Sequence, residues 1–411
     1  MAIPSWADFM LTQRRDLRTG RSVWQKRRPP AVITGTLENH ARPDVLVIGT
    51  GISGALVADA LLNAGLRVVA VDRRKPMTGS TPTSTTLLQS ELDTPLTVLS
   101  RKIGRERAAR AWLRSASAVG VLGARIEDLQ IGCDFRERST VYLPGDVLHV
   151  SGLRHEAEER RRLGLRSNFI GRNELKRLIG IAGPGAILSR GNAEANPIKM
   201  VAGLWRCIRA AGGEVVSPFD ASELEESKTR VSVHAADGRR IVAKHVVMCT
   251  GYELPKFLKP KGLTITSTWA IATRRQPRKL WQGRELVWQA ADPYLYIRTT
   301  LDGRVIAGGA DEEFSDDEKR DALIAKKSAK IAKLAGRIFP QVDFEPHYAW
   351  TGNFGASETG LPVIGLAPGY KRVYAALGFG GNGFTFSMLA AQIISRTING
   401  ITDPDADVFA P

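Results

Sequence analysis

Apolar and polar positions change period several times along this chain. Asp44 is followed by the uninterrupted run Val45-Leu46-Val47-Ile48, which predicts a strand buried on both faces. Residues 53–64 carry alanine and leucine at helical spacing and 66–71 return to the buried-strand pattern, so a strand–helix–strand unit is expected. Residues 96–129 set apolar positions at helical intervals among basic ones, whereas 139–150 predict strands broken at Pro144-Gly145. Beyond Asn196-Pro197, residues 198–211 predict a helix ending at Gly212-Gly213, followed by strands over 214–217 and 245–250. Asp237-Gly238, between 231–235 and 240–244, predicts a hairpin whose two turn residues both take positive φ. Asp302-Gly303 marks a second hairpin between 294–299 and 304–307, and with 263–273 and 285–289 it predicts an antiparallel sheet. Ser315-x-x-Glu318 fits a capping box for one long helix reaching about 337, and a strand over 373–377, a glycine loop and a helix over 386–397 close the chain.

Strand–helix segments at both ends and in the middle, with antiparallel patterns between them, predict an α/β protein that is α+β overall. A Rossmann-type dinucleotide domain is interleaved with an antiparallel-sheet substrate domain. The expected division is an N-terminal arm over 1–41, dinucleotide-binding parts at 42–138, 191–260 and 349–411, and substrate-domain parts at 139–190 and 261–348.

Composition narrows the class. With 411 residues, 43% hydrophobic and 24% charged, the chain can bury a large core, and it has no apolar run of membrane-spanning length. Three cysteines, Cys133, Cys207 and Cys249, lie far apart without a CxxC, and the six histidines show no ligand spacing. Neither a disulfide framework nor a metal site is expected, and the implied compartment is the cytoplasm. The net charge of +16 would attract anions such as nucleic acid, phospholipid or acidic substrates. Its carriers are scattered, with modest clusters at Arg14 to Arg28, Arg160 to Arg162 and Lys326 to Lys333. Solvated surface is therefore their expected role, and nucleic acid is not the expected partner.

The strongest chemical signal is Gly49-Thr50-Gly51-Ile52-Ser53-Gly54, set between the first strand and its helix, with Asp72 closing the second strand 23 positions after Gly49. Gly49 allows the tight turn, Gly51 lets backbone approach a pyrophosphate, and Gly54 allows close helix–strand packing, while the helix start offers free N–H groups to the anion. Asp72 is placed to accept from a ribose 2′-hydroxyl. Arg73 and Arg74 follow it, but Asp72 would repel a 2′-phosphate, leaving FAD or NAD.

Two later segments favour FAD. Val246-Val247-Met248-Cys249-Thr250-Gly251 is an apolar strand running into a glycine, of the kind that brings backbone against a cofactor. Gly378-Phe379-Gly380-Gly381-Asn382-Gly383, followed by Phe384, opens the terminal helix, whose N–H groups suit the negative charge of a reduced isoalloxazine.

At these residues the sequence resembles the D-amino acid oxidase and glycine oxidase superfamily of FAD-dependent oxidoreductases over about residues 42–411. Asn196-Pro197, the hairpin ending in Gly308-Gly309, and the stretch from Trp350-Thr351-Gly352 to Leu361-Pro362-Val363-Ile364-Gly365 add to the likeness. The branch it most resembles is that of gamma-glutamylputrescine oxidoreductase and the sarcosine-oxidase-like proteins. The resemblance implies FAD held non-covalently and hydride transfer from a carbon bearing nitrogen to flavin N5, the imine then being hydrolysed. It also implies O2 or another acceptor for reoxidation. Two departures bear on substrate. Gly381-Asn382-Gly383 stands where that branch has Gly-His-Gly, and Asn353 and Phe354 stand where amino-acid-oxidising members carry a carboxylate-binding arginine. Amines are therefore favoured over simple amino acids, unless Arg298 or Arg274 supplies the clamp. The expected substrate wall is drawn from Trp269, Trp288, Tyr294, Tyr296, Arg298, Tyr348, Trp350 and Phe354. An NAD-dependent dehydrogenase and a flavoprotein acting on tRNA or other nucleic acid are the competing readings.

Overall fold

The computed structural model describes residues 11–26, 30–35, 42–258 and 263–411. The remainder of the expected 1–41 arm, including Arg27 and Arg28, lies outside the described residues.

A six-stranded sheet runs in the order Val363–Leu366, Val373–Leu377, His245–Met248, Val45–Ile48, Val68–Val71, Glu214–Val216. It is parallel apart from Val363–Leu366, which pairs antiparallel with Val373–Leu377. Its central strand explains the uninterrupted apolar run in the sequence. Val45 and Val47 belong to the core packed by the helices Ile52–Asn63, Pro197–Ala210 and Gly383–Ile398. Leu46 and Ile48 belong to the core beneath the three-stranded meander Ala221–Glu226, Val231–Ala235, Arg240–Ala243. A strand covered on both faces cannot alternate polar with apolar.

The second large sheet has ten strands. Its main path runs Arg18–Gly20, Tyr348–Ala356, Thr264–Ala272, Val305–Glu312, Leu295–Thr299, Leu286–Gln289, Arg136–Leu143, Gly185–Glu194, Leu87–Leu88, and Ser167–Gly171 also pairs with Gly185–Glu194. The pairings are antiparallel except that of Leu286–Gln289 with Arg136–Leu143. The expected boundaries at 138/139, 190/191 and 348/349 fall inside strands of this sheet rather than between elements.

Several local expectations need correction. The helical stretch from 96 is two helices, Leu96–Ile103 and Arg105–Asp128, separated by Gly104 at φ +89°. Over 139–150 there is one strand, Arg136–Leu143, and a helix follows from Val150. At the first hairpin only Gly238 takes positive φ. Ala235 N–H donates to the Arg239 carbonyl and Gly238 N–H to that of Ala235, so one residue of the pair carries the left-handed step. The long helix near 315 also divides, into Asp317–Ala322 and Ile324–Ile338, and its cap is Asp316, which accepts from Lys319 N–H at 2.9 Å, not Ser315. Among the described residues no helix is long and apolar enough to cross a membrane.

Candidate active site

A large cleft, with about 1720 Å³ of empty space including its open mouth, runs from the carboxyl ends of the parallel strands to the face of the antiparallel sheet. Its lining is continuous from Asp72 and Arg73 past the glycine turn to Tyr294 and Tyr296, the elongated shape a dinucleotide requires.

Its floor is the glycine turn after Val45–Ile48. Gly49 takes φ +118°, and a Cβ there would stand 2.2 Å from the Cys249 carbonyl oxygen. A Cβ on Gly54 would stand 1.8 Å from the Gly49 carbonyl oxygen, so Gly54 seats the helix against the turn from behind the cleft wall. Gly51 differs from both, with an ordinary φ of −74° and only the Thr81 hydroxyl within 4 Å of a Cβ. Gly49, Gly51, Ile52 and Ser53 line the cleft; the N-cap residue Gly51 has no side chain to offer, and the Thr81 hydroxyl accepts from Ile52 N–H at 3.2 Å. Behind them the buried Trp205 indole donates to the Thr50 carbonyl at 2.9 Å and fixes the turn.

Asp72 also lines the cleft. Its carboxylate accepts from Thr50 N–H and hydroxyl, both at 2.8 Å, and from Arg74 N–H at 2.9 Å. Burial raises its pKa, and these hydrogen bonds oppose the shift. The two arginines that follow are spoken for. Arg74 binds Glu253 through two hydrogen bonds of 2.6 Å, and Arg73 lies 3.6 Å from Asp220 and 3.8 Å from Glu253.

Thr250 and Gly251 line the same cleft, as do Gly378, Gly380, Gly381, Gly383 and Phe384. Asn382 stands behind them. Its amide donates to the Glu91 carbonyl at 3.2 Å and to Asp93 at 3.3 Å, so it positions a neighbouring carboxylate rather than facing the cleft. That carboxylate also takes the Gly381 N–H, at 3.2 Å, at the start of the terminal helix.

Of the expected substrate wall, Tyr294, Tyr296 and Phe354 line the cleft and the others do not. Trp269 is on the opposite face of its strand, packed with Lys327 over its ring at 4.4 Å, and it donates to the Arg320 carbonyl. Trp350 lies under the segment around Thr83, to whose carbonyl it donates at 2.9 Å. Trp288 stacks on Tyr142 and Tyr348 lies beneath Arg304. Arg298, the expected clamp, is buried and donates to the carbonyls of Thr85, Thr86, Ala195 and Thr299, with Glu194 at 3.4 Å. Arg274 is exposed and outside the lining.

Sequence reasoning missed the segment from Met77 to Asp93, whose Ser80, Thr81, Thr83 and Gln89 line the cleft. The run of hydroxyls Ser80-Thr81-Pro82-Thr83-Ser84-Thr85-Thr86, just after the second strand, was the available signal. Asp93, Tyr252 and Thr268 were missed too. A Cβ on Gly381 would stand 2.8 Å from the Tyr294 hydroxyl and 3.1 Å from Asp93 Oδ2, so phenol and carboxylate converge there. Tyr252 donates to the Gly380 carbonyl at 3.0 Å. Burial pushes Asp93, Tyr252, Tyr294 and Tyr296 upward. Asp311 stands outside the lining, in the irregular pairing between Ser267↔Glu312 and Trp269↔Gly309. Its Oδ1 is buried without a protein partner, and burial raises its pKa to about 7.

A flavin dinucleotide fits this site on two grounds. The glycine turn leaves room for backbone contact where a side chain would stand, and buried polar atoms of the wall lack protein partners, namely Ser80 Oγ, Gln89 Nε2, Thr250 Oγ1 and Arg73 Nη1.

Known proteins bear the reading out. The chain is 21% identical over 373 residues to a probable oxidoreductase OrdL of Haemophilus influenzae, spanning 87% of this chain and 83% of that one. Its fold matches L-proline dehydrogenase from P. horikoshii, with a TM-score of 0.76, 18% identity and coverage of 90% and 97% of the two chains. It also matches glycine oxidase from Geobacillus kaustophilus, with a TM-score of 0.73, 18% identity and coverage of 89% and 96%. The family of FAD dependent oxidoreductases designated DAO matches residues 44–397, and with its glycine turn, Asp72 and continuous cleft the chain belongs to that family.

Proposed function

We propose that this FAD-dependent oxidoreductase oxidises the C–N bond of an amine, and that a free substrate carboxylate is not what it recognises. The observation that carries the reading is Asp93, a carboxylate facing the cleft among Tyr252, Tyr294, Tyr296 and Phe354. A carboxylate with aromatic rings around it attracts an ammonium group at roughly 0.5–2 kcal/mol per ring face and repels a carboxylate. The guanidinium that would reverse this preference, Arg298, is consumed by main-chain carbonyls.

When bound, FAD supplies the hydride-accepting chemistry. The residues of the chain do the rest. Asp93, fixed by Gly381 N–H and Asn382, orients the ammonium, and the tyrosines and Phe354 exclude water around the carbon that bears it. An amine gives up hydride only after losing a proton, and Asp93, which faces the cleft with its pKa raised by burial, is the carboxylate placed to take it.

Anaerobic mixing of the holoenzyme with a panel of primary and secondary amines, N-methyl amino acids and D-amino acids tests the reading. Amines are expected to bleach the flavin. Bleaching confined to substrates with a free α-carboxylate would overturn the proposal.

A further inference from the structure

Residues 11–26 precede the stretch matched to the family, yet they help to build the cleft. We propose that this segment is the outer wall of the cofactor site, a clasp in which Leu11, Thr12 and Leu17 close over the Asp72 end of FAD and set the rate at which it leaves.

Those three side chains line the same cleft as the glycine turn, and Leu11 and Leu17 are buried. Their position identifies the end they cover. Thr12 accepts from Arg73, the residue after Asp72, Arg14 pairs with Asp220, and Leu11 packs in one core with Val71 and Phe219.

The segment is anchored on both sides of the cleft. On the parallel-sheet side Thr12 pairs antiparallel with Pro255, flanked by Gln13 N–H to the Leu254 carbonyl at 3.2 Å and Lys256 N–H to the Leu11 carbonyl at 3.0 Å. Arg15 N–H donates to Glu253 at 2.9 Å, and Arg74 donates to the Arg15 carbonyl at 3.1 Å. On the other side Arg18–Gly20 forms the edge strand against Tyr348–Ala356. Arg320 donates to the Asp16 carbonyl at 2.6 Å, and Asp16 N–H donates to Asp317 at 3.0 Å. Leu11 and Thr12 lie at the end tied to Pro255, so a ligand beneath them leaves when that end opens, and release follows local opening there.

The hydrogen-bond pattern at Thr12 and Pro255 makes them a non-hydrogen-bonded antiparallel pair, whose Cα atoms stand about 4.5 Å apart, within disulfide range. The test is therefore the full-length Thr12→Cys/Pro255→Cys protein, loaded with FAD and then oxidised, with flavin release followed by fluorescence in chaotropic salt. Release from the oxidised protein is expected to be at least about tenfold slower than from the same protein after reduction. A second variant lacking residues 1–26, reconstituted with excess FAD, is expected to lose it at least about tenfold faster than the full chain. Equal release rates from the oxidised and reduced cross-linked protein, or from the shortened and full chains, overturn the proposal.

Discussion

At the scale of single residues, the glycines of the turn divide by what surrounds them. Gly49→Ala forces a Cβ into the Cys249 carbonyl at positive φ and should destabilise the protein by about 1–3 kcal/mol, seen as a lower urea midpoint. Gly51→Val meets no such backbone clash but fills the space a pyrophosphate needs. It should leave the apoprotein's unfolding midpoint within error of wild type while abolishing FAD retention on gel filtration. Asp311 gives a pH prediction. Its pKa lies above the ordinary 3.8, at about 7, because burial disfavours the charge, with Asp93 adding to the shift. Between those values the folded chain holds a proton that the unfolded chain has lost. Its contribution to stability is thus complete below about pH 4 and is lost as the pH rises through about 7. The difference in unfolding free energy between wild type and Asp311→Asn, measured by urea denaturation, should therefore shift against the wild type as the pH passes from about 4 to about 7, and a difference that does not change with pH would mean that Asp311 titrates as it does in the unfolded chain.

At the scale of elements, what holds Asp93 in place is a buried ion cluster rather than the strand before it. Arg160 is wholly buried. It donates to Glu156 at 2.7 Å and to Glu91 at 2.9 Å, and lies over the Trp112 ring at 4.4 Å. The Glu91 carbonyl in turn receives the Asn382 amide that also reaches Asp93. Arg160→Ala strands two buried carboxylates and should cost about 3–5 kcal/mol by denaturant unfolding, with poor rescue by lysine, which lacks the forked geometry. None of this was legible in the sequence, where residues 89–93 show no periodicity and Arg160 sits in a run of three arginines. The strand–helix–strand unit was legible, because two covered faces leave a continuous apolar run. The antiparallel strands gave half an answer. Tyr294, Tyr296 and Arg298 share one face by period two, but the carbonyls of the loop at Thr85 and Thr86 take up the Arg298 guanidinium. Trp269 lies one residue along from the cleft-facing Thr268 and so points to the other side. A pattern of alternation shows which residues share a face but not which later loop will cover it.

At the scale of the whole molecule, the cleft is the seam between two large sheets, walled by Gly49 to Ser53 and Thr250 on one side and by Thr268, Tyr294, Tyr296 and Phe354 on the other. The seam is held by the two cores on either side of it, by the segment 11–26, and by whatever fills the cleft. Unpartnered polar atoms at Ser80, Gln89 and Thr250 cost folding free energy until a ligand meets them. FAD should therefore act as a structural member as well as a redox group. A ligand that binds only the folded state stabilises it by about 2.7 kcal/mol at a hundred times its Kd, and by about 1.4 kcal/mol more for each further tenfold. The Tm of the flavin-free chain should accordingly climb with the logarithm of FAD concentration. ADP, which fills only the Asp72 end, should reproduce the part of that climb owed to the clasp and the glycine turn, and none of the part owed to the tyrosine end. A Tm raised equally by saturating ADP and saturating FAD would mean that the isoalloxazine end of the cleft does not join the two sheets.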